Sequence, residues 1–329
     1  MFNSSFAREM TDYLELRTAV LSASSASNDR RVLLLLDQYL VLSGFQGKEL
    51  TEDILSAWSK TLSGKSKTVK EKLAVVRGFG KYLNTLRHQS FLPTLPKVKS
   101  DYIPYIFSDE EIVRIFHYAD NLTPQNPRSC SSFFQLKIPM ALRILYSCGT
   151  RLQETMSLQR KDVDFKNRTL FLKKTKFSKE RVIPVHESLI AVMERYCLTL
   201  GIMHEPEAFL FPGRKEGSHY TTRQMDSWFS EILKLADIDQ RERDCHERGA
   251  CLHCFRHLFV LKSMHQLEAA GHSVDMNDLL LPTYLGHECL LDTDKYMRFS
   301  GVQVAGALDA FESFTSCLIP DVEVPYEEE

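Results

Sequence analysis

The chain has 329 residues, 43% apolar and 26% charged, with 20 Phe, 12 Tyr and 2 Trp, which predicts about two domains and excludes wholesale disorder. No run of eighteen apolar residues occurs, and the opening MFNSSFAREM lacks the regions of a secretory leader, so a membrane span is excluded and a cytoplasmic location expected. The net charge of −2 conceals an asymmetry: ten cations stand against the single anion Glu71 between Lys60 and Lys99, whereas seven anions and no cation follow Gly306, so a basic head that suits a polyanion, or forms a solvated helix face, precedes an acidic tail.

The first ninety residues read as helices. Apolar residues recur at helical spacing over Tyr13–Leu21, Val32–Leu42, Ile54–Leu62 and Val69–Leu86, with Thr51 as a cap for the third. In the fourth, Lys70, Arg77 and Lys81 fall near one face while Leu73, Val76, Phe79 and Leu83 line another. With Lys65 and Lys67 just ahead, that basic face is a candidate to lie along a phosphate backbone. Pro93, Pro96 and Pro104 then mark an extended linker. Ser108 and Glu111 fit a capping box that opens a second domain. There, Phe134–Cys148 reads as a buried helix ending at Gly149, which tolerates the left-handed conformation of a C-terminal cap. Thr169–Leu172 and Arg181–Val185 read as strands around the lysine-rich turn KKTKFSK, and Thr221–Ala236, Phe255–Ala270 and Met276–Tyr284 as helices. The expected organisation is a helical domain over 1–90, a linker over 91–107, a mainly helical domain with a small sheet over 108–315, and an acidic tail over 316–329.

Eight cysteines scattered over a chain of this size do not read as a disulfide framework, and reduced thiols are expected. Cys245, His246, Cys251 and Cys254 are conceivable zinc ligands, since Cys251 and Cys254 have the C-x-x-C spacing of zinc sites. Cys254, however, opens a helix whose chemistry, described next, requires no metal. No metal is expected, with bound zinc as the alternative that elemental analysis of purified protein decides.

Four separated pieces carry chemistry: Gly149-Thr150-Arg151-Leu152-Gln153-Glu154, Lys176 in its turn, His253-Cys254-Phe255-Arg256-His257, and Leu285-Gly286-His287 followed by Tyr296. In this order and with these gaps they closely resemble the catalytic domain of the tyrosine recombinases, also called the phage integrase family. The resemblance spans nearly the whole chain, because that family sets a helical DNA-gripping domain ahead of the catalytic one. It implies a mainly α fold: an N-terminal four-helix core-binding (SAM-like) domain, then a mainly helical catalytic domain with a small antiparallel β-sheet, the DNA breaking-rejoining fold.

The residue types suit the chemistry that the resemblance implies. Attack of a protein nucleophile on a phosphodiester builds negative charge on the non-bridging oxygens, which fixed cations must stabilise. By resemblance Arg151 and Arg256 are that clamp, each able to give paired hydrogen bonds where a lysine offers a point charge. Tyr296 is the implied nucleophile; a phenol with a pKa of about 10 needs help to ionise. The family assigns proton handling and phosphate contact to the match of His253, and a phosphate hydrogen bond to that of His287. A lysine in the strand-to-strand turn protonates the leaving 5′-oxygen as general acid. Aligning Lys179-Glu180-Arg181 with the basic end of that turn makes Lys176 the match, while Lys174 and Lys179 compete for the role or contact the DNA backbone. A matching acid in the family buttresses the site at the position of Glu154, which otherwise reads as a surface carboxylate. His257 reads as a helix support and Tyr284 as a core tyrosine rather than a rival nucleophile.

The resemblance thus implies a site-specific recombinase that cleaves and rejoins double-stranded DNA through a 3′-phosphotyrosine, in integration, excision or transposition of a mobile element, with no cofactor. Its implied partners are duplex DNA and its own copies: a homotetramer on paired sites, monomer or dimer otherwise, with Val302–Phe314 as a helix that could pass to a neighbour. The rivals are a nicking-closing enzyme of the type IB topoisomerase kind and a catalytically inactive DNA-binding relative.

Overall fold

The computed structural model describes residues 2–98, 104–123, 133–173, 180–239, 249–269 and 281–286, in two compact units, 1–101 and 102–329. In the first, α1 (Ala7–Val20), α2 (Ala23–Leu42), α3 (Glu52–Thr61) and α4 (Ser66–Thr85) follow the expected four-helix order. Leu33, Leu36 and Leu40 of α2 and Val76, Phe79 and Leu83 of α4 share one apolar cluster with Phe6 and Trp58, all essentially inaccessible. The apolar spacing located these helices because those stripes are what the core buries. Yet α2 begins nine residues before Val32, the start of its apolar run. Its first turns are polar and open on a cap, Ser22 accepting from the Ser25 N–H at 3.3 Å, so hydrogen bonding and not periodicity starts it. Thr51 caps α3 in the same way, through Ile54.

Of the basic residues on and beside α4, Lys67 and Lys81 are exposed, as is Lys65, and Lys70 and Arg77 are half-buried. Arg77 also donates to the Pro93 carbonyl at 2.7 Å, and the Phe91 N–H donates to Leu50 at 2.7 Å, tying the start of the extended stretch to this unit. Two acids are buried here. Asp29 accepts from Arg17 at 2.9 Å, and Asp37 accepts the backbone N–H groups of Asn3 and Ser4, each at 2.9 Å.

In the second unit the expected capping box starts α5 (Asp109–Asp120), Ser108 and Glu111 exchanging side-chain-to-backbone bonds. α6 (Phe134–Cys148) runs through the core, with Ile138, Ala141, Leu142 and Ile144 fully buried, and packs on α5, α7 (Leu152–Met156), α8 (Glu187–Thr199) and α10 (His253–Ala269). α9 (Thr222–Leu235) completes this layer, and a helical turn occupies 281–285. The expected hairpin is part of an antiparallel sheet in the order β1 (Val163–Asp164), β2 (Thr169–Leu172), β3 (Arg181–Pro184). Leu170 pairs with Ile183 and Leu172 with Arg181, and alternate residues Leu170, Leu172 and Ile183 are buried while Val182 is exposed, as a half-buried sheet requires. β1 and α8 were not anticipated. Of the helix expected over Met276–Tyr284, residues before 281 lie outside the described ones, as do those of Val302–Phe314. No helix among the described residues is long and apolar enough to cross a membrane.

Gly149 joins α6 to the site. Its φ is +55°, and a Cβ there would lie 2.4 Å from Cδ1 of Phe259 on α10. Only a residue without a side chain lets the chain turn left-handed while a second helix passes this closely.

Candidate active site

The C-terminal carbonyls of a helix lack intrahelical donors and form its negative end. At the turn that closes 281–285, three guanidiniums supply those donors. Arg181 Nε donates to Tyr284 at 2.8 Å, Arg256 Nη2 to Leu285 at 2.8 Å and Arg151 Nη2 to Gly286 at 3.5 Å. Three successive carbonyls thus collect arginines from β3, from α10 and from the segment between α6 and α7. Arg256 is fully buried, and its Nη1 donates to the Gly149 carbonyl at 2.7 Å. Gly286, with φ +65°, lets the turn reverse.

Glu154 sits under this cluster. It is buried, so the reading as a surface carboxylate gives way to the buttressing one. It accepts Arg151 Nη1 at 2.7 Å and the Arg151 backbone N–H at 3.0 Å, while Arg181 closes on it with Nη1 at 3.1 Å and Nη2 at 2.9 Å. Burial pushes the Glu154 carboxyl up, but the hydrogen bonds and charges of Arg181 and then Arg151 outweigh it and hold the group below the ordinary glutamate range.

His253, the first residue of α10, is exposed, with its ring 4.8 Å from that of His257, edge to face. Burial, aided by the charges of His253 and Arg256, drives the buried His257 down to about 3, so its imidazole is neutral near pH 7. Tyr284 stacks on Phe259 with centroids 5.4 Å apart, and burial, then the neighbouring Cys148, raises its phenol above the ordinary range. A phenol that ionises less readily than usual is a poor nucleophile. The Cys251 and Cys254 sulfurs are 3.5 Å apart. Cys245 and His246 lie outside the described residues.

The fold therefore brings together Arg151, Arg256 and Glu154, with His253 on the same helix as Arg256. Lys174, Lys176, Lys179, His287 and Tyr296 lie outside the described residues. Arg181 joins the cluster although the sequence marked it only as the start of a strand and the basic end of the lysine-rich turn. Its partners stand 27 and 103 residues away, and no local pattern announces such contacts.

Residues 106–299 match the family model described as the phage integrase family. A Sinorhizobium fredii protein bearing the name integrase/recombinase y4rE is 27% identical, over 69% of this chain and 71% of its own. Tyrosine recombinase XerC of Staphylococcus saprophyticus is 28% identical over 83% of each chain, and XerD of Rickettsia bellii 24% identical over 91% of this chain and 96% of its own. Among solved structures the fold is similar to XerH recombinase bound to its palindromic difH substrate in a post-cleavage complex, with TM-score 0.67, 17% identity and coverage of 96% of this chain and 85% of that one. It is also similar to the Tn1549 transposon integrase in complex with transposon right end DNA, at TM-score 0.62, 17% identity and coverage of 94% and 98%. With more than half its length matched by that family model, and its arginines gathered on the turn before His287, the chain belongs to the phage integrase family, the tyrosine recombinases.

Proposed function

We propose that this chain is a site-specific recombinase that cuts and rejoins duplex DNA through a covalent 3′-phosphotyrosine on Tyr296. The observation that carries this reading is the convergence of Arg151, Arg181 and Arg256 on the three carbonyls of 284–286, directly before His287. Guanidiniums held by backbone and carboxylate are oriented before substrate arrives, which is the condition for stabilising charge that develops in a transition state. Arg151, with 25% of its side chain exposed, and Arg256 supply the positive field for the scissile phosphate.

In the proposed step, Tyr296 yields its phenolic proton towards His253 and attacks phosphorus. The bond to the 5′-oxygen breaks, and Lys176 protonates that oxygen. His287 adds a hydrogen bond to the phosphate. The 5′-hydroxyl of a partner strand then attacks the phosphotyrosine, reversing each transfer and releasing Tyr296. Two solved structures of similar fold, XerH recombinase and the Tn1549 transposon integrase, are complexes with DNA, which supports duplex DNA as the partner here. Lys65, Lys67, Lys70 and Lys81 of the first unit, with Lys174 and Lys179, are proposed to meet its backbone, and exchange is proposed to occur in a homotetramer on paired sites, in the service of a mobile element.

The test is a nicked duplex carrying the site that the purified protein selects from a random-sequence library. Cleavage then releases a short strand and traps the intermediate. Wild type should give a DNA adduct that survives denaturation, and Tyr296→Phe none. An adduct formed by the phenylalanine variant would show that another residue is the nucleophile.

A further inference from the structure

We propose that Arg181 is a positioning residue for DNA cleavage: by neutralising Glu154 it leaves the Arg151 guanidinium turned towards the phosphate, and by holding Tyr284 it fixes the turn that Arg256 and Arg151 also grip. This role presupposes that the arginine cluster serves a scissile phosphate, as proposed above.

All three nitrogens of Arg181 are engaged by protein: Nη1 and Nη2 close on the two Glu154 oxygens and Nε reaches the Tyr284 carbonyl. Its side chain is 12% exposed, against 25% for Arg151. Arg181 therefore acts through other groups and not on substrate. The fit is close, since a Cβ on Gly286 would lie 3.1 Å from Arg181 Nη1. A lysine cannot reproduce a two-pronged contact plus a third bond from a separate nitrogen in the same plane.

A buried carboxylate left short of positive charge is costly, so nearby cations move to meet it. Arg151 now gives Glu154 a single guanidinium nitrogen, on Oε1, while Arg181 covers both oxygens. Without Arg181, Arg151 becomes the cation nearest to hand and is drawn onto Glu154 with both prongs, away from any phosphate. Removing the charge on Glu154 then cancels the need for Arg181. That reciprocity separates positioning from mere structural support.

The experiment measures single-turnover cleavage of the nicked duplex, with the rate constant taken from the fraction of protein that reacts, so that loss of folded protein lowers amplitude and not rate. Arg181→Met should slow cleavage by about 10- to 100-fold, the cost of a misplaced catalytic group, with DNA affinity little changed. Adding Glu154→Gln should restore most of that loss, and Arg181→Lys, the milder variant should the methionine not fold, should fall between. An unchanged rate, or losses that simply multiply in the double variant, overturns the role. Should wild type form no adduct at all, the recombinase reading fails, and positioning is decided in the free protein. There the Arg151 Nε–H resonance should shift in Arg181→Lys but not in Lys81→Ala; identical spectra for Arg151 overturn it.

Discussion

Both units bury carboxylates, and Glu154 of the second is neutralised unlike Asp29 and Asp37 of the first, or Asp162 of its own unit, which takes one Lys173 ammonium and the Gln159 N–H. In the first, Asp37 takes backbone N–H groups from Asn3 and Ser4, and Asp29 takes one guanidinium from Arg17. Each acid there receives about what it needs. By contrast Glu154 gathers two guanidiniums, with a third, Arg256, on the same turn. Gathering more fixed positive charge than a buried acid requires does not maximise stability, because each desolvated charge is expensive. Such an excess is the mark of a place that expects an anion. Lys65, Lys67 and Lys81 of the first unit lie at the opposite extreme: exposed, on flexible stems and screened by salt.

Arginine identity should therefore matter far more in the second unit than charge alone. Arg256→Lys keeps the charge but loses the planar fork that spans the Gly149 and Leu285 carbonyls. Cleavage in the trapped-adduct assay should fall by about 10²- to 10³-fold, as when an oriented donor is lost from a transition-state site. A lysine variant cleaving at the wild-type rate would break the contrast drawn between oriented and flexible cations.

The burial beside the cluster, and to a lesser degree its positive charge, can also be read without DNA, through His257. Its imidazole is driven from the ordinary 6.5 to about 3 by burial, His253 and Arg256. Since this folded value is depressed, the unfolded chain takes up a proton that the native chain refuses once pH falls below about 6.5. The stability involved is fully present above that pH and is lost towards about 3, at about 1.4 kcal/mol per pH unit. His257→Gln has no such group, so its stability relative to wild type should improve by about 2 kcal/mol between pH 7.5 and 5. Urea unfolding at the two pH values measures this, and parallel behaviour of the two proteins would show that His257 is not held neutral.

Where a feature was readable from sequence, its cause was local. The Gly149 cap, the Ser108 box and the burial of Leu73, Val76, Phe79 and Leu83 follow from neighbours a few residues apart. α8 was readable too, since Leu189, Ile190, Met193, Tyr196 and Cys197 are buried at helical spacing. Its cap is His186 rather than Ser, Thr, Asp or Asn, so its start carried no usual signal. β1 has two residues, too few for any period. Of the site, Arg151 and Arg256 were recognisable because motifs surround them, whereas Arg181 acquires its partners only when β3, α7 and the turn at 284–286 meet.

The smallest effect belongs to the first unit. Lys81 is exposed on α4 and, among the described residues, its side chain has no hydrogen-bond or ion-pair partner, so Lys81→Ala should leave stability nearly unchanged. If that face follows the DNA backbone, losing one cation releases about one fewer counterion, and the slope of log affinity against log salt should flatten by about 0.9. The cleavage rate of DNA already bound should stay the same, because an exposed ammonium positions the duplex without touching the reacting phosphate. Affinity measured across a salt series, beside single-turnover cleavage at saturating protein, separates the two. A Lys81→Ala variant that cleaves more slowly when saturated would place part of the catalytic charge on the helical head, and the division of labour between oriented arginines and screened lysines would have to be redrawn.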